Sequence, residues 1–196
     1  MSCNITLNKH PEIEGKHAIF SASKYGWTNK SPEENAGDIF KEDAAVLGTK
    51  LHALARQHID LGVPMGRSQK TLNLYINHAI KYDMLPEVGL KATPYHFGTA
   101  DAFSFDKKTG KLMIFDLKTG VRPAQFRQLE VYAAYFIMEY AAALGINPSD
   151  IDIELRIYQN DDVIVGTPSL SDIQPIIDNV TETMKIAGKL NESRSA

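Results

Sequence analysis

Three short segments rich in aromatic and aliphatic residues follow one another between residues 87 and 118: "EVGLKAT", "HFGTADAFSF" and "KLMIFDLK". Their length and composition read as strands, and "DKKTGK" between the last two reads as a hairpin turn. What flanks this run restricts the fold further. Ahead of it, residues 36–59 space Ile39, Ala45, Leu47, Leu51 and Leu54 along one apolar side, a helix that "LGVPMGRS" ends. A second helix is predicted over 69–84, opened by Ser68 and stopped before Pro86. After the strands, a long helix is predicted over 123–144, with Pro123 near its first turn and Gly145 as its stop. "IDIELRIYQ" and "DDVIVGT" then read as a strand and its partner, and residues 169–190 as a closing helix. This order predicts an α/β chain, a mixed central sheet flanked by helices.

At 196 residues the chain is expected to form one domain over 1–196, with a polar, loop-like segment over about residues 1–35. A hydrophobic share of 43% and a charged share of 23% argue against disordered and coiled-coil readings. There is no apolar run of the length a membrane span needs, and "MSCNITLNKHPEIEGK" lacks the apolar core of a secretory signal. A cytoplasmic protein with no membrane partner is expected. Cys3 is the only cysteine, so neither an intramolecular disulfide nor a cysteine-built zinc or iron–sulfur centre is available. Any metal must be held by oxygen and nitrogen. The formal charge of −3 gives no global argument for nucleic acid, but residues 101–130 are locally basic while the chain from Ile146 onward is acidic.

Within "IFDLKTG", Asp116 and Lys118 alternate with Phe115 and Leu117, so on a strand the acid and the lysine share a face. The hairpin turn brings Asp101, in "GTADAFSF", to a position neighbouring Asp116. Like charges placed opposite one another repel, and a divalent cation such as Mg2+ or Mn2+ resolves the conflict. The plainer alternative is that Asp101 caps a turn or faces solvent and Asp116 pairs only with Lys118. In "QFRQLEVYAAY", Gln128 and Tyr132 stand four apart on one helical face, either as a polar pair over the site or as part of a solvated face. His52 lies one turn past Gly48, among small residues that let its helix approach the sheet.

The order "GTKLH", "GTAD", "FDLKTG", "QLEVYA" resembles the PD-(D/E)XK nuclease superfamily, in its RecB-like and phage-type exonuclease branch, over about Ser21 to Gln159 and including "SASKYGW". The resemblance implies a restriction-endonuclease-like core. It also implies metal ligation by Asp101, Asp116, His52 and the carbonyl of Leu117, and a water-positioning role for Lys118. Gln128 and Tyr132 match the branch's Q-x-x-x-Y element. Arg122, Arg127 and Ser23 become candidate substrate contacts, and Lys107, Lys108 and Lys111 candidates for holding the phosphate backbone. The implied activity is that of a Mg2+- or Mn2+-dependent deoxyribonuclease, a DNA exonuclease of phage-type recombination or repair. Its partners would be DNA and a single-strand annealing protein, in a bacterial or phage-infected cytoplasm. Asp116 stands where many members have glutamate, "WTNKSP" lacks the cysteines with which relatives hold an iron–sulfur cluster, and Glu87 is an acid without a clear counterpart. Polarity and oligomeric state stay open. Two other readings remain: a catalytically inert DNA- or protein-binding module on the same fold, and a serine penicillin-recognising acyl enzyme, whose motifs "SASK", "YIN" and "KTG" echo in order. Tyr25, Gly26 and Trp27 disfavour the helix that last reading requires after Ser21.

Overall fold

β3 (Lys111–Leu117) is buried along nearly its whole length, which a strand achieves only when both faces of its sheet are covered. In the computed structural model, which describes residues 18–120 and 122–195, β3 is the middle strand of a five-stranded mixed sheet in the order β1-β2-β3-β4-β5. β1 (Leu85–Thr93), β2 (His96–Asp106) and β3 form an antiparallel meander. β4 (Asp152–Gln159) lies parallel to β3, and β5 (Asp162–Gly166) is antiparallel to β4. The sequence expectation of a mixed α/β sheet with flanking helices is met.

Alternation along β3 sorts its side chains into two cores. Leu112 and Ile114 join Leu129, Ala133 and Phe136 of α3 (Arg127–Phe136) and Ile173 of α5 (Leu170–Ser195). Met113, Phe115 and Leu117 join Ala55 and Ile59 of α1 (Pro32–Asp60) and Tyr75, Ile76 and Ala79 of α2 (Thr71–Lys81). The β2–β3 turn forms as predicted: the Asp106 carboxylate accepts from the Lys108 amide and the Thr109 hydroxyl, and Gly110 takes φ +71°. Between β4 and β5, Asn160 and Asp161 both adopt positive φ, as a tight two-residue hairpin requires.

Three helix starts differ from the sequence reading, α1 beginning at Pro32 rather than about residue 36. Ser68 does not cap α2. Asp161, at the hairpin tip, does so, its carboxylate accepting the Thr71 amide at 2.9 Å while its own amide donates to Thr71 Oγ1 at 2.7 Å. α3 begins at Arg127 rather than Pro123, because the Ala124 amide is drawn to Gln159 Oε1. Gln159 Nε2 also donates to the carbonyls of Gly120 and Arg122, so the segment leaving β3 is held as a loop. α3 then continues through a π turn (Ile137–Ala141) and α4 (Ala142–Leu144) to Gly145, which closes it in the left-handed region.

Contacts divide the chain into two compact units, Met1–Leu47 and Gly48–Ala196. In the described part of the first unit, Ser21 caps a short 3-10 helix (Ala22–Asn29), and Ser31 and Glu34 form a reciprocal capping box that starts α1 at Pro32. Lys30 and Lys41 flank Asp38 and hold its carboxyl down at about 2. Among the described residues, no helix is long and apolar enough to cross a membrane.

His78 on α2 lies against Tyr158 and Tyr82, its Nδ1 3.0 Å from the Tyr158 hydroxyl. Burial, and then the charges of Arg156 and Lys81, lower its pKa below the ordinary histidine value. Because the unfolded chain takes up this proton more readily, the stability it contributes is present above the ordinary value and lost as pH falls through the folded one. Thermal melts in chelator from pH 7.5 downward should show a loss in the wild type that is shallower in His78→Gln.

Candidate active site

The β2–β3 ladder ends at the pair Ala102↔Phe115, and Asp101 and Asp116 are the next residues along the two strands. Alternation breaks there: Ala100 and Phe103, three apart, pack in the α3 core, while Ala102 packs in the other. Asp101 is the irregular residue. Its Oδ2 accepts the backbone amide of Leu117 at 2.8 Å, where a strand carbonyl would otherwise serve. Its Oδ1 lies 3.4 Å from His52 Nδ1 on α1. His52 reaches this point because Gly48, one turn earlier, lets α1 come close; a Cβ there would sit 2.9 Å from Thr119 Oγ1.

Glu87 faces the same place from β1. Its neighbours pair regularly, Pro86 with Ala102 and Val88 with Ala100, but Glu87 itself, opposite Asp101, takes φ +53°. For a residue other than glycine such a conformation costs on the order of 1–3 kcal/mol, and it persists where surroundings enforce it. Ligand atoms of His52, Glu87 and Asp101 lie within 4.8 Å of one another. Glu87 had no clear counterpart from sequence; the signal that points to it is an acid directly after a proline at the start of a strand.

Asp116 lies outside that set but adjoins it. Only 3% exposed, it places Oδ1 3.0 Å from Lys118 Nζ, while Oδ2 is buried without a hydrogen-bond partner. Burial, then the charge of Asp101, raise its pKa above the usual carboxylate value, against the pull of Lys118 and His52. The pKa of His52 is raised first by its bond to Asp101, with burial opposing and Glu87 and Asp116 adding. Lys118 Nζ also donates to Gln128 Oε1 at 2.8 Å, and Gln128 Nε2 donates to the Tyr132 hydroxyl at 3.2 Å. Asp116, Lys118, Gln128 and Tyr132 thus form one chain of hydrogen bonds. The Tyr132 ring lies over Gly98, where a Cβ would meet it at 2.9 Å.

The structure distributes the remaining candidates unevenly. Leu117 takes part through its amide, and its side chain is buried in the α1–α2 core. Arg122 is exposed on the loop that Gln159 pins, and Arg127 forms an exposed ion pair with Glu130 at 3.2 Å. Lys107 and Lys108 are not brought to the site: they occupy the β2–β3 turn, at the opposite end of β3 and ~17 Å or more along the strand from Asp116. Lys111, at that same end, is engaged with Asp152 and Glu154. Ser23 belongs to the N-terminal unit, where its hydroxyl bonds that of Ser21 at 2.8 Å. Ser21 and Lys24 do not share an α-helical turn, since Lys24 has φ −117° and ψ 56°, so the geometry an acyl enzyme needs is not formed. Gln159 was missed because a buried glutamine at a strand end carries no sequence pattern.

No family model, curated protein or solved structure matches the chain. The site's own chemistry carries the functional argument. Two carboxylates and an imidazole converge, a third carboxylate is buried beside them with an unpartnered oxygen, and acidic charge outweighs the nearby ammonium. Such a donor set fits a divalent cation, and the imidazole favours Mn2+ over Mg2+ among oxygen-seeking metals. In chelator, Asp116→Asn should unfold at or above the wild-type temperature, because it removes a buried repulsive charge. Mn2+ should raise the wild-type midpoint and raise that of the variant less. Gln159→Leu, which orphans three backbone groups, should lose about 2–4 kcal/mol in urea unfolding.

Proposed function

We propose that this chain is a metal-dependent deoxyribonuclease with a PD-(D/E)XK core, acting as a DNA exonuclease in phage-type recombination or repair. The observation that carries the reading is the chain Asp116–Lys118–Gln128–Tyr132 set against the His52, Glu87 and Asp101 group. A helix-flanked mixed sheet with the two acids next to one another where the β2–β3 ladder ends agrees with that core.

Asp101, Asp116 and His52 would hold the cation, with Glu87 and the Leu117 carbonyl completing its surroundings. When bound, a divalent cation offsets charge on the scissile phosphate and lowers the pKa of water. The chain's own contribution centres on Lys118. Gripped by Asp116 on one side and Gln128 on the other, its ammonium is fixed where it can orient an attacking water and stabilise the charge gathering on phosphate oxygens. Tyr132 fixes Gln128 in turn. Arg122 and Arg127 supply cationic contacts to the phosphate backbone, and no protein nucleophile is involved. DNA is the substrate, and a single-strand annealing protein is the expected partner in the host cytoplasm.

Incubation of linear and circular DNA with Mn2+, Mg2+ or chelator tests the reading. Linear DNA should be degraded only with metal. Lys118→Met should slow turnover by roughly 10²–10³-fold with DNA binding retained. DNA bound but never cut would identify a binding module instead, and digestion in chelator would reject the metal-dependent mechanism.

A further inference from the structure

Past Glu87 and Asp101, β1 and β2 continue as a two-stranded ribbon in which Gly89 pairs with Thr99 and Lys91 with Phe97. Val88, Leu90, Ala92 and Ala100 pack in the α3 core, and Gly98 lies under the Tyr132 ring. Strand alternation therefore turns Gly89, Lys91, Phe97 and Thr99 to the other face. That is the face on which Glu87 and Asp101 meet His52. All four are exposed, and they line up with the acids.

Their chemistry is that of a surface for an extended polyanion with flat bases. Phe97, the second residue of β2, is 66% exposed, and Tyr95 in the adjoining turn is 77% exposed. An apolar ring so open has no structural role in the core. Lys91 stands directly across from Phe97, which sets a cation beside the ring. Gly89 offers no side chain between them and the site, so a backbone can approach closely, and Thr99 adds a hydroxyl. At the ordinary strand rise, Thr99 lies ~7 Å and Phe97 ~13 Å from Asp101, a few nucleotides' length. The outer edge of β1 is less available than its face: the Lys91 amide donates to Glu139 Oε2 at 2.7 Å, and a protein strand adding at the edge would have to break that bond.

We infer that this face of the β1–β2 ribbon is a single-strand lane, seating the nucleotides that adjoin the cleaved bond, with Phe97 stacking on a base and Lys91 holding a phosphate. The inference rests on the nuclease reading and narrows its substrate to single-stranded or frayed ends. Aromatic stacking beside cationic side chains is how single strands are bound without sequence preference.

Binding of a fluorescein-labelled oligo-dT to the full chain, followed by anisotropy in chelator, reads the lane without cleavage. Phe97→Ala should weaken binding roughly tenfold or more, with an unchanged melting temperature because the ring is exposed. Phe97→Trp should restore affinity, and its added fluorescence should be quenched by the oligonucleotide. Lys91→Gln should reduce the slope of log affinity against log salt by about one contact. Wild-type affinity in Phe97→Ala, or a wild-type chain that does not bind the oligonucleotide, overturns the lane. Digestion of linear DNA by the wild type is scored separately. A chain that cuts DNA but is indifferent to Phe97 keeps the nuclease reading and loses the lane; one that binds through Phe97 but never cuts keeps the lane and loses the nuclease reading.

Discussion

The hydrogen bond from the Leu117 amide to Asp101 Oδ2 is the contact on which the site depends. A side chain here takes the position of a strand carbonyl, so β2 and β3 part without leaving a buried amide orphaned. An unmet donor of that kind would cost about 1–3 kcal/mol. The same bond fixes Asp101 as an acceptor at the mouth of the opening, with its second oxygen turned toward His52. The gap between the strands and the first acid at its edge therefore have a single origin.

Around that gap several unfavourable features gather. Glu87 holds a backbone conformation unfavourable for its side chain, Asp116 is buried with its pKa raised, and Asp101, Glu87 and Asp116 crowd acidic charge near one imidazole and one ammonium. Among the described residues, only Asn35 Oδ1 and Asp116 Oδ2 are buried side-chain polar atoms without a partner. A well-packed domain satisfies nearly all such atoms, and the exceptions gather where function requires them. The proposed cation answers all three features together, whereas a lone Asp116–Lys118 ion pair answers none beyond itself.

Local periodicity made part of this legible. The alternation in "IFDLKTG" put Asp116 and Lys118 on one face, and the four-residue spacing put Gln128 over Tyr132; both pairs are bonded. The succession of helices and strands along the chain and the β2–β3 turn also follow from composition. What escaped the sequence depends on groups remote along the chain. Asp161 caps α2 across some 90 positions, and Gln159 delays the start of α3 from 35 positions away. Glu87 became visible only once β1 was laid against Asp101. Lys107, Lys108 and Lys111 are phosphate candidates by charge alone, although a hairpin that brings Asp101 near Asp116 must carry its own turn to the far end.

Topology explains why Lys118 and Gln128, ten residues apart, meet at all. Because β4 is parallel to β3, the chain leaving β3 cannot turn straight back and must cross over, which α3 does on one face of the sheet. A crossover helix starts above the end of the strand it leaves, so the first turn of α3 stands over Lys118. β4 tightens that arrangement: its Tyr158 carbonyl accepts the Lys118 amide at 2.9 Å, and Gln159, the next residue, ties down the loop that leads to α3. One parallel neighbour thus fixes the backbone of the lysine directly and, through the helix, the glutamine that holds its ammonium.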